Sequence, residues 1–158
     1  VFFQMIGGTS GLEDLDELYE SIILDHYRNP RNNKLIDSPD IEMESNNPFC
    51  GDEVQVLIEF KKDRIFAVSV IGRGCAISQA SASLMSELIE HKNHEETLDL
   101  VSRVRRFMRG DDLDFHETED FGDFDALGGV RKFPVRIKCA LLSWVAVEDA
   151  IEKLKQRH

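Results

Sequence analysis

The sequence predicts an α+β domain in which a small three-stranded antiparallel sheet is packed by helices. Three observations predict it. Residues 54–71 alternate apolar and polar side chains on either side of a short charged turn, as a β-hairpin does. Apolar residues at helical spacing occur once before that hairpin and three times after it. The strands therefore cluster, instead of alternating with helices as a parallel α/β sheet requires. No internal repeat is present.

The elements follow in order. Leu15 to Arg28 reads as an amphipathic helix, with Leu15, Leu18, Tyr19, Ile22 and Ile23 on one face, and Asn29-Pro30-Arg31-Asn32-Asn33 ends it. Ile41 to Ser45 is a weaker strand signal. Val54, Val56, Ile58 and Phe60 share one strand face, with Gln55 and Glu59 on the other. Lys61-Lys62-Asp63-Arg64 makes the turn, and Ile65 to Ile71 returns with Phe66, Val68 and Val70 on one face. Ala76 to Glu90 is helical through Ile77, Ala80, Leu84 and Leu88. His94 to Arg109 is helical through Leu98, Val101, Val104 and Met108. Gly110 to Gly129 is acidic and reads as a long loop. Pro134 suits the first turn of a final helix reaching Leu154, with Ala140, Leu141, Trp144, Val147, Ile151 and Leu154 as its core stripe.

Composition narrows the class of protein. At 158 residues and 42% hydrophobic, the chain is sized for one domain with an ordinary core. Residues 1–11 read as an expression-vector remnant or a loose tail, and 12–158 as the domain, with an acidic insertion at about 110–129. No apolar run approaches the roughly 20 residues of a membrane helix. The net charge of −11 argues against nucleic acid as a main partner, because phosphate binding needs clustered Lys and Arg. Eight acidic residues and no Lys or Arg fall between Asp111 and Asp125. This segment reads as solvated surface, or as a docking surface for a basic partner. Arg103, Arg105, Arg106 and Arg109 form a basic stripe that pairs with this segment or with solvent. Three cysteines is an odd, sparse set, which fits thiols in a reducing cytoplasm better than a disulfide scaffold.

Those cysteines are the most informative residues. Cys50 and Asp52 flank Gly51, so one tight turn can present a thiolate and a carboxylate to one metal. An Asp after Gly is also a common turn residue. Cys75 follows Gly72-Arg73-Gly74 where a strand gives way to a helix, and helix-terminal N–H groups stabilise a thiolate there. Cys139 lies near the start of the last helix beside Arg136 and Lys138, whose charge lowers a thiol pKa. Both positions also suit small core residues. Together the four groups make a four-coordinate donor set. Zinc and iron–sulfur clusters both accept it, so residue type does not choose between them. His26, His91, His94, His116 and His158 read as surface residues. Ser78, Ser81, Ser83 and Ser86 read as small packing residues lacking a histidine partner.

Three ordered motifs carry a family resemblance. They are Asn47-Pro48-Phe49-Cys50-Gly51-Asp52, the run from Gly72 to Ser83 around Cys75, and Pro134 to Trp144 around Cys139. With Leu18-Tyr19 through Pro30, the sequence from about Leu15 to Leu154 resembles the IscU/NifU-like iron–sulfur cluster assembly proteins. Lys138 before the third cysteine, where the IscU branch has histidine, and the acidic insertion both resemble the SufU branch. The resemblance implies a zinc ion held by Cys50, Asp52, Cys75 and Cys139. It implies a SufS-type cysteine desulfurase as partner, with Cys50 accepting persulfide sulfur and passing it towards downstream iron–sulfur assembly proteins. Arg136 and Lys138 would support the transfer by stabilising negative sulfur. Two other functions are consistent with the same residues: a scaffold that assembles and transfers a [2Fe–2S] cluster, and a structural zinc domain that only binds partners. The expected state is a cytoplasmic monomer or weak homo-oligomer.

Overall fold

The computed structural model describes residues 17–48 and 51–157. Helix α1 (Glu17–Arg28) leads into a meander of β1 (Ile41–Asn47), β2 (Asp52–Lys61) and β3 (Arg64–Arg73). Then come α2 (Ala76–Leu88), α3 (His94–Arg109), the one-turn helix α4 (Phe115–Thr118), a 3₁₀ helix (Gly122–Lys132) and α5 (Pro134–Gln156). The sheet is antiparallel in the order β1-β2-β3. The predicted class and the order of elements hold. The proposed tail, residues 1–11, lies outside the described residues, as does Leu15 at the expected start of the first helix. Among the described residues no helix is long and apolar enough to cross a membrane.

One face of the sheet carries the core through Ile41, Val54, Val56, Ile58, Val68 and Val70, all buried. Helix α5 packs across β1 and β2 and against α2 and α3, so it is the spine of the molecule. Trp144 of α5 is fully buried and stacks edge-on against Phe124, with ring centroids 5.2 Å apart. Its Nε1–H donates to Ser81 Oγ of α2 at 3.1 Å, and Ser81 Oγ donates to the carbonyl of Ala140 at 2.5 Å.

Three expectations are corrected. First, Phe66 does not face the core. The β2–β3 register shifts at Glu59/Phe60, pairing Phe60 with Ile65 and leaving Phe66 as the extra residue of a bulge. Ile65 is buried instead, while Phe66 is half exposed under the ammonium of Lys61, 3.6 Å from the ring centroid. Second, the acidic segment is not a loop. Phe121, Phe124, Leu127 and Val130 recur every third residue and all are buried, which is the period of a 3₁₀ helix. The acidic residues that precede them face the basic stripe of α3. Arg103 bonds Asp120 at 2.6 Å and the Glu117 carbonyl at 2.9 Å, Arg106 pairs with Glu117, and Arg109 with Asp111. Arg105 turns the other way, to Glu148 of α5. Third, His26 is not a surface residue and the α2 serines do not lack a histidine.

His26 is buried, and its Nδ1 lies 2.7 Å from Ser83 Oγ. Ser83 Oγ also accepts the N–H of Arg31 at 2.9 Å, so this buried hydroxyl ties α1 and the turn after it to α2. Burial is the main influence on His26 and holds its pKa below the ordinary 6.5. The Arg31 charge lowers it further, against the opposing carboxylates of Glu87, Asp25 and Asp123. The sign for stability follows. The unfolded chain takes up this proton first as pH falls, so His26 favours the fold above about pH 6.5 and opposes it progressively below. The melting temperature of metal-free protein should therefore fall between pH 7 and 5. His26→Gln, which keeps a hydrogen-bonding side chain without the titration, should flatten that slope.

Candidate metal centre

The site is assembled from the start of β2, the start of α2 and the second turn of α5. Asp52 is the first residue of β2 and is fully buried. Cys75 is the N-cap of α2, where its Sγ accepts the N–H of Ser78 at 3.5 Å. Cys139, also buried, stands in the second turn of α5, its Sγ 3.8 Å from the Val135 carbonyl. Asp52 joins the first two. Its Oδ1 accepts the Cys75 N–H at 2.9 Å and its Oδ2 lies 3.8 Å from Cys75 Sγ. Asn47, the last residue of β1, places its Nδ2 4.0 Å from Cys139 Sγ.

Asp52, Cys75 and Cys139 each offer one donor atom, and the three atoms lie within 4.8 Å of one another. Cys50, the fourth expected ligand, lies outside the described residues. Gly51 has φ +70°, a left-handed conformation that favours glycine, and its N–H bonds the Asn47 carbonyl at 2.9 Å. Arg136 is half-buried and Lys138 exposed, both in the opening turns of α5 just before Cys139. Lys138 also lines an open groove of about 400 Å³ with Asn47, Pro48, Arg105, Leu141 and Val145.

Whether this arrangement suits a metal can be tested on its chemistry. Two thiols and a buried carboxylate converging this closely are a donor set suited to zinc, which binds sulfur and carboxylate oxygen in tetrahedral sites. The backbone is shaped around the carboxylate as well. A Cβ built on Gly74 would stand 2.2 Å from Asp52 Oδ1, so only glycine admits Asp52 here. The residues present therefore fit a metal centre. Sequence reasoning did not single out Asn47, although it opens the Asn-Pro-Phe-Cys-Gly-Asp motif. It also gave no role to Gln79, one helical turn beyond Cys75.

Comparison with known proteins identifies the family. The family model "NifU-like N terminal domain" matches residues 18–158. The zinc-dependent sulfurtransferase SufU of Bacillus subtilis (strain 168) is 41% identical over 140 residues, covering 89% of this chain and 93% of that protein. The iron-sulfur cluster assembly scaffold protein IscU of Streptococcus pyogenes serotype M1 is 34% identical over 142 residues, covering 90% and 87%. Among solved structures, a protein of Fervidobacterium Islandicum AW-1, described as an iron-sulfur cluster assembly scaffold for a SUF system, superposes with a TM-score of 0.75. It is 33% identical, over 82% of this chain and 93% of that one. The N-terminal part of a NifU-like protein from Brucella abortus shares the fold, with a TM-score of 0.78 at 21% identity, over 90% and 98% of the two chains. With its whole described fold and its cysteine motifs inside that match, the chain belongs to the NifU-like N-terminal domain family.

Proposed function

We propose that this protein is a zinc-dependent sulfur acceptor that takes persulfide sulfur from a SufS-type cysteine desulfurase and passes it to downstream iron–sulfur assembly proteins in the cytoplasm. The observation that carries this reading is the convergence of Asp52, Cys75 and Cys139 within 4.8 Å at the end of the sheet where the Asn47–Asp52 turn carries Cys50. The 41% identity to a zinc-dependent sulfurtransferase supports it.

Asp52, Cys75, Cys139 and Cys50 would hold the metal. When bound, zinc supplies a Lewis acid that keeps the thiols deprotonated at neutral pH. The chain's own residues do the rest. A Cys50 thiolate attacks the outer sulfur of the donor's persulfide. A new sulfur–sulfur bond forms at Cys50, the donor's sulfur–sulfur bond breaks, and the donor's cysteine leaves as thiolate. The proton on the transferred sulfur stays with it. Gly51 gives the Cys50 turn its left-handed bend, and Asp52 is a harder, weaker partner for zinc than a fourth thiolate. Arg136 and Lys138 would stabilise negative charge on sulfur at the site.

The test is metal and sulfur content, measured on protein purified without oxygen or added metal and then mixed with a cysteine desulfurase and cysteine. One zinc per chain, no colour, and one persulfide sulfur acquired per chain are expected. Cys50→Ala should abolish the acquisition while the circular dichroism spectrum is retained. Full acquisition by that variant would sink the reading. If Cys50→Ser lowered the melting temperature as much as the activity, the structural-domain alternative would stand instead. The scaffold alternative draws on the same donor set and on the 34% identity to an IscU scaffold protein. Iron with matching acid-labile sulfide would favour it.

A further inference from the structure

The Gly72-Arg73-Gly74 segment carries β3 into α2 and sets both Asp52 and Cys75: Gly72 and Arg73 are the last paired residues of β3, opposite Val54 and Glu53, and Gly74 lies beyond the ladder. Beyond that ladder Gly74 has wide conformational freedom, and all three residues are exposed. From the helix side the segment is held by Gln79. With its amide oriented to satisfy its neighbours, the side chain donates to the Gly72 carbonyl at 3.2 Å and accepts the N–H groups of Arg73 and Gly74 at 3.2 and 3.3 Å. The backbone N–H of Gln79 also bonds the Cys75 carbonyl at 3.1 Å. One residue thus grips the turn on one side of Cys75 through its side chain and Cys75 itself through its backbone.

The consequence reaches the donor atoms. Gly74 packs against the Asp52 carboxylate, and the Cys75 N–H that follows it is the hydrogen bond that aims Oδ1. A turn free to rotate would carry that N–H away, and the carboxylate would lose its orientation. We propose that Gln79 is a positioning residue for the metal centre, one that keeps Asp52 and Cys75 in ligating geometry before any metal arrives. This rests on reading Asp52, Cys75 and Cys139 as metal ligands. Groups that orient ligands from outside the coordination shell typically govern metal affinity by about 10–100-fold.

The experiment is a zinc titration of the full chain against a chromogenic chelator, for wild type and Gln79→Met, which keeps the side-chain length and removes all three side-chain bonds. Gln79→Met should bind zinc about 10–100-fold more weakly. A purely structural role would lower the melting temperature of the metal-free protein and leave zinc affinity unchanged, and that outcome overturns the assignment. Wild type failing to bind one zinc would instead count against the metal site itself. Amide hydrogen exchange on metal-free wild type needs no variant. The Gly74 and Cys75 amides should be protected without zinc, and exchange of the Gly74 amide at the unprotected rate would also overturn the proposal.

Discussion

Gly74→Ala should disable the metal centre while leaving most of the fold in place. The new methyl would stand 2.2 Å from Asp52 Oδ1, 2.7 Å from its Cγ and 3.0 Å from its Cβ. Asp52 is fully buried, so its carboxylate has no solvent to swing into. Gly74 also sits at φ +155°, where L residues are rare. Either Asp52 shifts or the turn does, and both break the bond between Oδ1 and the Cys75 N–H. Strain of this kind costs about 1–3 kcal/mol, and zinc affinity should fall by at least about 10–100-fold. Gly122→Ala is the control. Its φ is also positive, at +54°, but a Cβ there meets nothing within 4 Å. It should cost stability alone. Thermal melts and zinc titrations on both variants separate the two effects. Zinc binding by Gly74→Ala at wild-type affinity would show that the Asp52 geometry is not needed.

Trp144→Ala should be the most destabilising single change in the chain, by about 3–5 kcal/mol. The indole is fully buried, packs edge-on against Phe124, and is tied through Ser81 to the Ala140 carbonyl. It links the 3₁₀ helix, α2 and α5 at once. Trp144→Phe keeps most of the ring volume and loses the Nε1 bond, so it should cost much less, about 0.5–1.5 kcal/mol for the bond plus a packing loss. Urea unfolding curves measure both. Because Ala140 follows Cys139, the alanine variant should also loosen the α5 side of the metal centre.

Much of this architecture was legible in the sequence, for physical reasons. The hairpin showed because Val54, Val56, Ile58 and Phe60 share one face of β2 with Gln55 and Glu59 on the other, an alternation that buried Leu57 interrupts only once. Helices α2, α3 and α5 showed because their buried residues recur at helical spacing, and Pro134 marked the start of α5. The cysteines drew attention by their glycine and cation neighbours, and three motifs in order carried the family. The misses share a cause. Ile65 and Phe66 exchange roles at a bulge, which depends on the partner strand's register. His26 and Ser83 meet only when α1 packs on α2. The period of three through Phe121, Phe124, Leu127 and Val130 was written in the sequence but hidden by the acidic residues between. Gln79 is an unremarkable polar residue in a helix until its side chain is seen folded back over the turn that precedes it.

The spread of the donor residues has a consequence for how the protein is made. Asp52 and Cys75 belong to the first half of the chain, whereas Cys139 waits on the last helix. As the polypeptide leaves the ribosome, the sheet and the turn into α2 come first, and the third donor emerges only after α3 and the 3₁₀ helix. Metal capture by the complete centre therefore has to follow synthesis of α5. A chain truncated before α5 would lack both Cys139 and the Trp144 spine. The ion, once captured, marks polypeptides in which α5 has found the sheet.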